Sequence, residues 1–187
     1  MPAPPEPKTR RNVCLMSETL PIPIIRSKLY PPDISADLVS RERLLTSNSI
    51  GTGGRMTLVS APAGYGKSTY ARQCISACGC ASAWLSLDPE DSDLRRFLAY
   101  VVATMRNAVA DCCPEIAEHI QSSMLPPVEE LAGAFCNDLD HFNECVTLVF
   151  DDFHQISASP VHDFLNHVLK RPPRNLHIVF VTRRDPR

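Results

Sequence analysis

The run from Thr57 to Thr69 constrains this chain more than any other stretch. An apolar segment, Thr57-Leu58-Val59, stops at small residues and leads into Ser60-Ala61-Pro62-Ala63-Gly64-Tyr65-Gly66-Lys67-Ser68-Thr69. A strand, a glycine-bearing turn and a helix opening with Lys-Ser form the layout of a phosphate-binding loop. Gly64 and Gly66 allow positive φ and let an anion approach the main-chain amides. A helix beginning near Lys67 would present unpaired N–H groups to that anion. Ala61, Pro62, Ala63, Gly64, Tyr65, Gly66, Lys67, Ser68 and Thr69 are therefore the candidate nucleotide-binding residues. Lys67 is expected to reach the terminal phosphates and Ser68 to hold Mg2+ through its hydroxyl. Ala61 stands where the strict motif has glycine.

A second motif follows about 80 residues later. Val146-Thr147-Leu148-Val149-Phe150 delivers Asp151 and Asp152 at what reads as the C-terminal end of a buried strand. In an open α/β sheet, ligands bind at that end. The stretch looks like a Walker B strand. Asp151 is expected in the Mg2+ shell, and Asp152 is expected to polarise an attacking water or sense a γ-phosphate.

The rest of the chain supplies the alternation that such a sheet needs. Ala83 to Leu87 reads as a second buried strand closed by Asp88-Pro89, and Leu176 to Arg184 as the last. Helices are expected from Lys67 to Cys78, with Gly79 as the stop, and from Asp91 and Ser92 until Pro114 breaks the run. Leu94, Phe97, Leu98, Val101, Met105 and Val109 line the inner face of that second helix. Ile116 to Met124 forms another, Pro127 opens the next, and Ser159-Pro160 starts the last. The fold class is therefore α/β: a three-layer α/β/α P-loop NTPase with a parallel sheet, incomplete at its C-terminus. Residues 1–22 read as a flexible tail and 23–187 as a partial NTPase domain. Ile22 to Tyr30 is expected to lie extended over the domain. Ser40 to Ser47 reads as a short helix, and Gly51 to Gly54 as a loop.

Bulk properties exclude several classes. A net charge of −2 leaves no basic nucleic-acid footprint within this chain. No apolar run approaches the roughly 20 residues that cross a bilayer, and no signal-like N-terminal core is present, so a cytoplasmic chain is expected. The eight cysteines are then expected to be reduced and buried. Cys78-Gly79-Cys80 and Cys112-Cys113 lack zinc-type spacing. Among the histidines, His162 and His167 sit five apart, which does not share a helix face.

Several motifs together resemble one family. Ser27-Lys28-Leu29, Arg41-Glu42-Arg43-Leu44-Leu45, the 60–68 loop, Trp84-Leu85-Ser86-Leu87-Asp88, Phe150-Asp151-Asp152-Phe153-His154 and Thr182-Arg183 are similar to the N-terminal ATPase domain of MalT-type activators. These are ATP-dependent LuxR-family regulators within the signal-transduction ATPases with numerous domains. The resemblance implies ATP and ADP with Mg2+ as ligands and slow hydrolysis. It also implies self-association in the ATP-bound form, and DNA binding only through domains absent from this chain. It places Lys67 and Asp152 in catalysis and makes Arg183 the sensor arginine. It further implies a missing fifth strand that would leave the phosphate-loop strand at a sheet edge. Two other readings fit the same motifs. One is a P-loop small-molecule kinase with Arg171, Arg174, Arg183 and Arg184 near an acceptor; the other is a truncated fragment without activity.

Overall fold

The computed structural model describes residues 20–33 and 55–183. The expected helix at 40–47 and the loop at 51–54 lie outside the described residues.

Four parallel strands make one sheet. They are β1 (Met56–Ser60), β2 (Ala81–Ser86), β3 (Val146–Asp151) and β4 (Leu176–Thr182), in the order β1-β4-β3-β2. Register is continuous across the sheet: Leu58 pairs with Phe180, Phe180 with Phe150, and Phe150 with Leu85. β3 and β4 are buried at every position. Both are runs of β-branched and aromatic residues, as strands covered on two faces require.

Helices cover both faces. α1 (Lys67–Cys78) packs Ala71, Cys74 and Ile75 against Trp84, Val149, Val179 and Val181 on one side. α2 (Leu94–Ala108), α3 (Pro114–Gln121), α4 (Val128–Asp140) and α5 (Ser159–Lys170) build the larger core on the other. At its centre Phe97 stacks on Phe150 with centroids 5.4 Å apart, Phe150 stacks on Phe180 at 5.6 Å, and Phe135 meets Phe164 at 5.8 Å. This is the three-layer α/β/α arrangement of a P-loop NTPase-like fold. It follows from alternating buried strands with helices that each carry one apolar stripe.

Several boundaries differ from the sequence expectations. β2 begins at Ala81, two residues before the apolar run, because Ala81 and Ser82 pair with Val146 and Thr147 of β3. α2 ends at Ala108 instead of running to Pro114. Val109 is extended, and Asp111 and Cys113 take positive φ to turn the chain. Pro114 then opens α3, where its lost N–H has no helical partner to forfeit. α3 stops at Gln121, short of Met124.

Residues 20–33 are not simply extended. Arg26–Leu29 forms a 3-10 turn, and Leu20, Ile22 and Ile24 pack on the main core. Lys28 inserts its ammonium between Asp88, 2.9 Å away, and the fully buried Asp91, which it also contacts. The same ammonium lies 4.4 Å above the Tyr100 ring. Arg96 reaches Asp91 from the other side at 3.1 Å. A buried carboxylate between two cations that both lie over the Tyr100 ring is a satisfied network. It straps residues 20–33 to the β2 side of the sheet.

The cysteines are not all reduced. Cys80 and Cys145 form a disulfide, with Cα atoms 5.2 Å apart. They precede the register pair Ala81–Val146, so neighbouring strand starts bring the thiols together. Cys74, Cys112 and Cys113 are buried free thiols, while Cys78 and Cys136 are half-buried.

Candidate nucleotide site at the strand C-termini

The candidate site lies across three strands. β1 supplies the loop, β3 the two carboxylates, and β4, inserted between them, the arginine. β1 ends at Ser60, and the Ala61 N–H donates to the Thr182 carbonyl at 3.3 Å, which keeps the loop's entry on the sheet. Pro62 to Gly66 are then exposed. Gly64 and Gly66 both take positive φ, 81° and 75°. Gly66 is the residue before α1 in left-handed conformation, and no side chain caps the helix. The first amides of α1 thus stay available to a ligand. A Cβ at either glycine would meet no atom within 4 Å, so glycine is required there by backbone angle and not by crowding.

Lys67 and Ser68 open α1 on opposite duties. Lys67 Nζ donates to the Pro62 carbonyl at 3.0 Å, folding its charge back over the loop. Ser68 Oγ donates to Asp151 Oδ1 at 2.9 Å. Ala61, Ala63, Tyr65 and Thr69 lie on the same loop and first helical turn, with the Tyr65 side chain facing solvent.

Asp151 is buried at the end of β3. Burial pushes its carboxyl above the ordinary value and the Asp152 charge adds to this, while the Ser68 hydroxyl, the Asp152 amide and the Lys67 charge act in the other direction. A carboxylate that is costly to ionise in the bare protein gains from a cation beside it. The hydroxyl and carboxylate oxygens of Ser68 and Asp151 are the hard donors that Mg2+ takes, usually one or two from the protein with water and phosphate completing the shell. The residues present therefore fit a magnesium–nucleotide.

Asp152 breaks the strand direction in left-handed conformation, φ 54° and ψ 37°. Its Oδ1 is 3.8 Å from Arg183 Nε at the end of β4 and 3.8 Å from His154 Nδ1. The structure thus gathers Lys67, Ser68, Asp151, Asp152 and Arg183 at one end of the sheet. Sequence reasoning assigned His154 no role. Its signal lay in the Phe-Asp-Asp-Phe-His order, because a 3-10 turn over Phe153–Gln155 returns the second residue after Asp152 to its carboxylate.

No protein-family model matches the chain. Over 163 residues it is 31% identical to the HTH-type transcriptional regulator MalT of Klebsiella pneumoniae, and equally to that of Yersinia pestis. The segment is MalT-like. The match takes in 87% of this chain but 18% of each relative's length, so it concerns one part of those regulators. Among the described residues, no helix of the MalT-like segment is long and apolar enough to cross a membrane.

Proposed function

We propose that this chain is the nucleotide-switch domain of a MalT-like transcriptional regulator, binding ATP or ADP with Mg2+ and hydrolysing ATP slowly. The observation that carries the reading is the 2.9 Å contact between Ser68 at the start of α1 and Asp151 at the end of β3. It joins the two halves that a magnesium–nucleotide needs, directly beside an uncapped helix start whose preceding glycine is left-handed.

In this reading the amides from Ala61 to Thr69 cradle the phosphates. Lys67 exchanges the Pro62 carbonyl for phosphate oxygens. Ser68 and Asp151 hold Mg2+, whose charge offsets that of the phosphates when bound. Hydrolysis forms a bond from a water oxygen to the γ-phosphorus and breaks the bond to the β–γ bridging oxygen. Asp152 orients that water, and Arg183 meets the charge on the departing phosphate. The chain acts in the cytoplasm, self-associates in its ATP-bound form, and influences DNA only through parts of the regulator outside this sequence.

The experiment is a thermal-shift titration with ATP and ADP in Mg2+. The parent chain gains several degrees at saturation, and Lys67→Ala gains none. Equal responses in both proteins, or none in the parent, would remove the reading.

A further inference from the structure

We propose that His154 is a positioning residue for Asp152, holding its carboxylate in place while Arg183 moves. The inference rests on the nucleotide reading above and goes beyond it, because it concerns how the second acid is kept aimed.

Two groups converge on one oxygen. Arg183 Nε and His154 Nδ1 each lie 3.8 Å from Asp152 Oδ1. They are anchored very differently. Arg183 follows the last residue of β4, and its side chain is half exposed. A long, solvated guanidinium beside a phosphate site is free to swing to a phosphate oxygen, with which it pairs in bidentate fashion. His154 has no such freedom. It sits in the 3-10 turn Phe153–Gln155, and its Nδ1 is buried. The turn is pinned by Phe153, which packs 4.6 Å from the Phe180 ring and edge-on to His162 at 5.5 Å. The Gln155 and Ile156 amides close it on the Asp152 and Phe153 carbonyls at 2.9 and 3.1 Å.

Asp152 needs such a restraint. Its backbone is left-handed, a conformation that non-glycine residues hold only where the surroundings dictate it. Its carboxylate is also partly open to water. When Arg183 turns to the γ-phosphate, Oδ1 closes the 3.8 Å gap to the imidazole and is held there. The carboxylate then stays in one orientation for the attacking water, at the small distances on which general-base and orienting groups depend. In this reading His154 acts only through Asp152 and holds neither nucleotide nor metal, so its removal slows turnover without weakening binding.

Three substitutions of His154 in the full chain test this. His154→Asn keeps an amide nitrogen near the Nδ1 position, His154→Gln moves it outward to the Nε2 position, and His154→Leu removes it. Single-turnover ATP hydrolysis and the ADP affinity are measured with Mg2+, alongside each variant's melting temperature. The expected result is a loss of about tenfold or more in hydrolysis for Leu and Gln. Asn stays within about threefold of the parent, and all three keep the parent's ADP affinity. Combining His154→Gln with Asp152→Asn should be no slower than Asp152→Asn alone, since the histidine acts through that carboxylate. Parent-like hydrolysis in the Gln variant, equal losses in Asn and Gln, or additive losses in the double variant would overturn the proposal. If the Leu variant does not fold, the Asn–Gln pair decides. A parent chain that binds no nucleotide would instead overturn the nucleotide reading, and this inference with it.

Discussion

β1 and β3 each deliver one half of the candidate site, and they are held in the sheet by very different means. β3 is central, with β2 and β4 on either side, and every one of its residues is buried. Among the described residues β1 is an edge, paired only with β4. Its residues alternate between exposed and half-buried, with Met56 49% and Leu58 40% exposed. The carboxylates therefore stand on the stiffest strand, and the phosphate loop hangs from the loosest. β2 is the sheet's other edge among the described residues, yet it is covered by the Lys28 strap and tied to β3 by the Cys80–Cys145 bond. The Asp151 side of the candidate site is preorganised by burial, while the loop side would take its order from a bound ligand. Local stability of this kind differs across one domain as a matter of course.

That contrast can be broken most forcefully at β3. Phe150→Ala removes a fully buried ring that stacks on Phe97 and Phe180, and should cost about 3–5 kcal/mol in urea unfolding. A loss below about 1 kcal/mol would mean that β3 is not the stiff element.

Next in size is the strap on the β2 edge. Lys28→Met leaves Asp91, wholly buried, with Arg96 as its other cation among the described residues and should cost about 3 kcal/mol. The same variant should change the acid limb of stability. Burial raises the Asp88 carboxyl, but the Lys28 hydrogen bond and charge prevail and hold it below its ordinary value. Its contribution is present above the unfolded value near about pH 4 and is lost as pH falls through the lower folded value. Urea midpoints measured downward from pH 5 should therefore fall more steeply in the parent than in Lys28→Met, and equal slopes would count against the latch.

Gly66→Ala isolates the loop's backbone. No neighbour meets the new Cβ, so the cost is the left-handed φ of 75° alone, about 1 kcal/mol. No loss of stability would show that the loop does not hold this conformation without ligand. The smallest effect belongs to the edge. Leu58→Ala should change stability by less than about 0.5 kcal/mol, because the residue is already 40% exposed. A loss of 2 kcal/mol would mean that β1 is covered in solution.

The same contrast explains how much was legible beforehand. β3 and β4 could be read directly, because a central parallel strand is written as an uninterrupted apolar run. α1 could be read from Lys67 to Gly79 because its start and stop residues carry their own chemistry. The pairing of Ser68 with Asp151 was accessible from two motifs whose order and spacing are physical requirements of one site. What escaped was set by tertiary neighbours. Ala81 and Ser82 become strand only because β3 is beside them. The end of α2 depends on left-handed Asp111 and Cys113, conformations that neither residue type announces. The Cys80–Cys145 bond depends on which strands are adjacent, and residues 65 apart in sequence carry no sign of that. His154 escaped because its part is defined by a turn and not by a spacing between ligands.

The central claim is that Ser68 and Asp151 together hold a magnesium–nucleotide. The most direct measurement is calorimetric titration of ADP into the parent chain and into Asp151→Asn, each with Mg2+ and with chelator. The account expects Mg2+ to tighten ADP binding to the parent by about tenfold or more, and to leave the affinity of Asp151→Asn unchanged. No binding to the parent, or the same Mg2+ dependence in both proteins, would contradict it.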